Sequence, residues 1–137
     1  MDQGILGIGV CTLDVLTKVS SFPEKESVEE AESSELMGGG PVATALAAAS
    51  KLGSPTTMLD TLGDDWQSEI IINELKSIGV SCDEIIIEVG AKASLASVLI
   101  RKSDGARAIR FVRSTAKAIS HGAITKEIIS KHKIIHC

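Results

Sequence analysis

Short apolar runs alternate with stretches of helical periodicity along most of this chain. Ile5-Leu6-Gly7-Ile8-Gly9-Val10-Cys11 is continuous and apolar, the kind of run that a parallel sheet buries on both faces. Gly7 and Gly9 fall on one face of that strand, where they leave room for a neighbouring helix or a ligand. Leu36-Met37-Gly38-Gly39-Gly40-Pro41 then runs into Val42-Ala43-Thr44-Ala45-Leu46-Ala47-Ala48-Ala49-Ser50, with no charge until Lys51. Pro41 suits the first turn of a helix, alanine propagates it, and Gly53 stops it. Thr56 to Leu62 reads as a strand, and Gly63-Asp64-Asp65 as a turn in which either acid caps the next helix. Ile71, Leu75 and Ile78 make that helix's apolar stripe, Gly79 ends it, and Val80 to Val89 is a further strand. Strand, helix, strand, helix, strand predicts a parallel sheet.

The second half changes character. Ser94 to Arg101 and Ala108 to Val112 are β-prone runs around Ser103-Asp104-Gly105, and Asp-Gly between two such runs predicts a hairpin. Thr125 is placed to cap a short helix through Ile128 and Ile129, and Lys133-Ile134-Ile135-His136-Cys137 starts another strand. From Phe22 to Glu35 the chain is acidic, with no helical stripe, and reads as a solvated loop or an edge strand. A terminal parallel strand normally continues into a helix that covers it, so the expectation is the first part of a longer protein.

Composition narrows the function classes. In 137 residues, 44% hydrophobic and 23% charged, there is enough for one ordinary core. The net charge is −4, with two Phe and one Trp, which argues against nucleic acid as a partner. No run is long enough for a membrane span, and Met1-Asp2-Gln3 lacks the basic start of a signal peptide. Cytoplasmic residence is therefore the expectation, although a removed targeting segment would leave no trace. Cys11, Cys82 and Cys137 are too few and too far apart for a disulfide framework or a zinc knuckle. His132 and His136 flank strand-like Ile134-Ile135 without an acidic partner, so no metal ligand is assigned.

Two places offer binding chemistry. Asp14 follows the first strand among apolar neighbours, toward the crevice where open α/β sheets bind ligands, and can accept hydrogen bonds from hydroxyl groups. It is equally compatible with a capped turn or a solvent-facing acid. Gly38, Gly39 and Gly40 expose backbone N–H groups ahead of a helix N-terminus, which suits oxygen-rich ligands; a plain tight turn uses the same glycines. This turn is not a P-loop, because Pro41 and Val42 follow Gly40 where Gly-Lys-Ser/Thr is required. Nor does it carry the dinucleotide fingerprint, and Gly7-Ile8-Gly9 has Thr12 at the third fingerprint position. Adjacent Asp64 and Asp65 read more simply as a helix cap than as an acid–base pair.

Taken in order, these pieces resemble the N-terminal half of a ribokinase-like carbohydrate kinase of the PfkB type. The resemblance is carried by Gly7-Ile8-Gly9 with Asp14, Gly38-Gly39-Gly40-Pro41 leading into Ala43-Thr44-Ala45, Leu52-Gly53, Leu62-Gly63-Asp64-Asp65, Leu75 to Val80, and Asp104-Gly105-Ala106-Arg107. It covers essentially residues 1–137. It implies an α/β fold with a parallel sheet, flanking helices and a small β-sheet lid, incomplete here, with lid strands around 27–36 and 94–112. It further implies that Asp14 accepts sugar hydroxyls, that Gly38 and Gly39 line the sugar with Gly40 adjoining, and that Ala96 and Val98 give apolar contacts. Self-association through the lid is a family habit that Ser94 to Val112 would serve.

Two departures stand out: Ala43 occupies the place where many members carry a sugar-binding Asn, and Ser68 a place where glycine is frequent. The family uses ATP and a divalent cation such as Mg, with a catalytic Asp in a Gly-Ala-Gly-Asp motif near the C-terminal end. That motif is absent here, so no catalytic residue is assigned, and the chain alone is expected to turn nothing over. A nucleoside kinase of the same fold and a non-catalytic binding or regulatory module are the alternatives.

Overall fold

The computed structural model describes residues 4–137, so the Met1-Asp2-Gln3 start lies outside the described residues. A four-stranded, all-parallel central sheet runs in the order β10-β1-β4-β6. Its strands are β1 (Ile5–Ile8), β4 (Thr56–Leu59), β6 (Val80–Ser81) and β10 (Ile134–His136). A second four-stranded sheet has the order β3-β2-β8-β9, built from β2 (Thr12–Val19), β3 (Ser33–Gly39), β8 (Ser94–Arg101) and β9 (Arg107–Val112). Here β2 and β8 pair in parallel at the centre, and β3 and β9 close the two edges antiparallel. Two excursions from the central sheet thus make one lid: β2–β3 between β1 and α1 (Pro41–Lys51), and β8–β9 ahead of α3 (Lys126–Ser130).

Helix α1 begins at Pro41 behind Gly40, whose φ of 96° favours glycine and whose added Cβ would strike the Val10 carbonyl. Val42, Ala43 and Leu46 are its buried face. A Cβ on Gly7 would meet Leu46 and Val42, so that glycine lets α1 lie close on β1, as the glycine spacing predicts. Helix α2 (Trp66–Ser77) is capped by Asp65, whose side chain accepts from the Ser68 N–H. Ile71 and Leu75 from α2 join Leu13, Leu46 and Met58 in a single core beneath both sheets. Thr125 caps α3 by accepting from the Ile128 N–H at 3.1 Å.

The architecture agrees with the α/β expectation, and four boundaries differ. The acidic stretch yields its lid strand at Ser33–Gly39, not at 27–36, because pairing with β2 starts only at Lys18↔Ser33. Asp14 lies inside β2, not in a turn beyond β1: the chain leaves the central sheet after Ile8 and resumes pairing at Thr12. The run Thr56 to Leu62 is broken at Asp60 into β4 and β5 (Thr61–Gly63). Val80 to Val89 likewise divides into β6 and β7 (Ile86–Glu88), and β7 pairs with β5 in a separate two-stranded sheet.

Candidate functional site

The lid's strand register assembles the site. Asp14 on β2 pairs with Met37 on β3 and Ala96 on β8, and Ala96 pairs with Phe111 on β9. Residues directly opposite share a face, so this row crosses the sheet with strands about 4.8 Å apart. The next row on the same face runs through Leu16, Val98 and Ile109, and the row before it through Gly39, Thr12 and Ser94. Against this face opens a cleft of about 570 Å³, lined among others by Thr12, Asp14, Asp60, Ala96, Val98 and Phe111. Asp14 and Thr12 are its polar floor, while Val98, Ile109 and Phe111 form an apolar wall.

Within the cleft the Thr12 hydroxyl donates to Asp14 Oδ1 at 3.0 Å. No cationic side chain approaches Asp14 within ion-pair distance among the described residues. A half-buried carboxylate with spare acceptor capacity beside a hydroxyl is suited to a neutral, hydroxyl-bearing ligand.

The glycine run is divided by the two-residue period of a strand. Gly39 stands against Asp14: a Cβ there would collide with Asp14 Oδ2 and Thr12 Oγ1. Gly38 faces away, and its N–H donates to Glu74 Oε2 of α2 at 2.5 Å. Gly40 is the N-cap residue of α1 and lies outside the cleft lining. The structure thus brings Asp14, Gly39, Ala96 and Val98 together, and turns the Gly38 amide to the opposite face. Ala43 packs in the core and borders a separate groove between α1 and α2 with Ile71 and Glu74.

Asp64 and Asp65 act on the scaffold. Asp64 Oδ1 accepts from the Gly90 N–H at 2.8 Å, and Asp65 accepts from the N–H groups of Ser68 and Ala93. Ser68 is buried and hydroxylated for a local reason, since its Oγ accepts from the Gly63 N–H and donates to Asp65. These bonds fix the start of β8, and through it the position of Ala96. His132 lies between the Ile128 carbonyl and Thr57 Oγ1, at 2.8 and 3.0 Å. No cluster of three or more His, Cys, Asp or Glu with metal-holding geometry occurs among the described residues. No described helix is long and apolar enough to cross a membrane.

Sequence reasoning missed Asp60. Its Oδ2 accepts from the Cys11 N–H at 2.7 Å and its Oδ1 from the Thr61 N–H at 2.8 Å, where it borders the cleft. Burial pushes its carboxyl above the ordinary range, while the Cys11 and Thr61 N–H groups pull it back. The Cys11 thiol is pushed up strongly, first by burial and then by the Asp60 charge, so it stays protonated. The available signal was an acid interrupting the apolar run Met58-Leu59-Asp60-Thr61-Leu62.

A parallel α/β core carrying a four-stranded lid over a carboxylate-floored cleft defines a ribokinase-like fold. Solved structures share it: a putative ribokinase from Agrobacterium tumefaciens (TM-score 0.86, 21% identity, 98% of this chain and 44% of that one), and Arabidopsis thaliana ribokinase complexed with ribose and ATP (TM-score 0.78, 22% identity, 98% and 45%). The model of the pfkB family of carbohydrate kinases matches residues 2–136, and this chain belongs to that family. It is 29% identical over 134 residues to a fructokinase of Solanum tuberosum, covering 96% of this chain and 40% of that protein. A ribokinase of Bacillus subtilis is 26% identical over 102 residues, 72% of this chain and 35% of that protein. The chain therefore spans about 40% of the length of the fructokinase it matches.

Proposed function

We propose that this chain is the sugar-recognising part of an ATP-dependent carbohydrate kinase, in which Asp14 orients the substrate by accepting hydrogen bonds from its hydroxyl groups. The observation that carries this reading is Asp14 in the lining of the cleft beside Thr12, Ala96 and Val98, with Gly39 packed against its carboxylate. The bare Gly39 backbone leaves room for the Asp14 carboxylate and the Thr12 hydroxyl to stand where they do. Ala96 and Val98 supply apolar contacts behind the sugar ring, and small Ala96 keeps the floor between Asp14 and Phe111 open.

ATP and a divalent cation such as Mg belong to the complete kinase. The described residues do not fit either group: no metal-holding acidic cluster is present, Pro41 has no N–H to offer, and the Gly38 amide is already bonded to Glu74. No step of phosphoryl transfer is accordingly assigned to these side chains, and the catalytic base is expected in a Gly-Ala-Gly-Asp segment elsewhere. Without that segment these residues alone should consume no ATP. Exposed Ile109 and Phe111 favour a second reading, a nucleoside kinase, because a base could lie against that apolar wall. The lid edges β3 and β9, with Leu36, Met37 and Val112 exposed, would serve a homodimer.

A coupled ATP-consumption screen of the full-length protein over ketoses, aldoses and nucleosides tests the reading. Turnover of a sugar supports it, turnover of nucleosides alone selects the second reading, and no turnover at all favours a binding module. Asp14→Ala should raise the sugar KM roughly 10- to 100-fold, the worth of hydrogen bonds to a charged group, with the ATP KM unchanged. An unaltered sugar KM removes Asp14 from the site.

A further inference from the structure

Strands β1 and β4 are parallel neighbours that leave the central sheet at the same level. Ile8 pairs with Leu59; beyond that pair the chain turns at Gly9 toward lid strand β2, and at Asp60 toward β5. The Gly9 N–H still reaches the Leu59 carbonyl at 3.1 Å. One step further the backbone ladder gives way to a side chain, as Asp60 takes the Cys11 N–H on one oxygen and the Thr61 N–H on the other. One carboxylate thus ties the two departing strands together in the cleft wall.

A neutral acceptor could satisfy the same N–H groups with a smaller desolvation penalty. What the charge adds is strength, since charge-assisted hydrogen bonds are about twice as strong as neutral ones. Cys11 is the last residue before the β2 ladder begins at Thr12, and Asp14 follows on the cleft face. A shift of the Cys11 amide would therefore pass along β2 to the Asp14 carboxylate.

We propose that Asp60 is a positioning residue for sugar recognition: it holds the Cys11 N–H where the chain passes from central sheet to lid, and so sets where Asp14 stands. This rests on the reading of Asp14 as the hydroxyl acceptor. Asp60 acts through Asp14 and not as a catalytic residue.

The test is steady-state kinetics of the full-length protein carrying Asp60→Asn, Asp14→Ala and both together. Asp60→Asn should raise the sugar KM about tenfold, the scale of one weakened charge-assisted bond, with the ATP KM and kcat near wild type. The double variant should be no worse than Asp14→Ala alone, because the two residues act through one interaction. A multiplicative effect in the double variant, or a normal sugar KM in Asp60→Asn, overturns the inference while leaving Asp14 in place. If Asp60→Asn does not fold, Asp60→Ser gives the same readout, and failure of both makes Asp60 a stability residue, which also overturns it. An unchanged KM in Asp14→Ala is the separate signature that the site reading itself has failed, and the role of Asp60 with it.

Discussion

The central sheet and the lid have the same number of strands and opposite assignments of their faces. In the central sheet, Leu6 and Met58 are fully buried, and Gly7 lets α1 approach. In the lid the packing is divided: Leu13 enters the core, Asp14, its chain neighbour, faces the cleft half-buried, and Ala96 and Val98 on that same face are buried. The lid edges are open, with Phe111 at 59% and Val112 at 69% exposure. One sheet spends its side chains on packing, and the other divides them between packing and an open cleft. Substitutions in the two sheets should therefore fail in different assays.

The largest separation is expected between Leu6→Ala and Phe111→Ala. Loss of the fully buried Leu6 side chain should cost roughly 2–5 kcal/mol of unfolding free energy, read from denaturant curves. Phe111→Ala should leave the denaturation midpoint almost unmoved and weaken ligand affinity. Equal destabilisation by both would show that the lid is as tightly packed as the core and would erase the contrast.

Gly39→Ala probes the boundary between packing and recognition. Its Cβ would collide with the Asp14 and Thr12 side chains, which must shift at a cost of roughly 1–3 kcal/mol, and the displaced carboxylate should raise the sugar KM. Retention of wild-type affinity in a destabilised Gly39→Ala would mean that Asp14 tolerates displacement, contrary to its role.

The smallest effect belongs to the lid tip. Glu32 bridges Lys18 and Lys102 at 3.2 and 2.9 Å, and hydrogen bonds from Lys102 and then Lys18 hold its carboxyl below the usual range. A lowered folded-state value means that the contribution is present at neutral pH and fades as pH falls from the ordinary carboxylate value through the lowered one. Because all three groups are solvent-exposed, Glu32→Gln should shift the thermal midpoint only slightly at neutral pH, less in high salt, and not at all in acid. A large, salt-independent loss would place structural weight on the lid tip that its exposure does not suggest.

Much of this was readable from the chain, for identifiable reasons. Pro41 behind three glycines and the Asp104-Gly105 turn are local signals, and α1 and the β8–β9 hairpin depend mainly on local conformation. Asp65 and Thr125 cap helices through side chains that reach only three residues. Breaks within strands were not legible. Nothing in Thr56 to Leu62 says that β4 stops where β1 does, because that limit is set by a neighbour about fifty residues away. The lid strand was displaced for the same reason: acidity marked the region, and pairing with β2 chose Ser33–Gly39.

Hydrophobic periodicity, caps and turn residues act over a few positions, and they suffice to specify an α/β chain with a hairpin and to single out Asp14 and the glycine run. Which glycine meets Asp14 is a question of strand register, and register depends on partners distant in sequence. Folding alone set Gly39 against Asp14, turned the Gly38 amide to Glu74 and set Asp60 across the root of the lid.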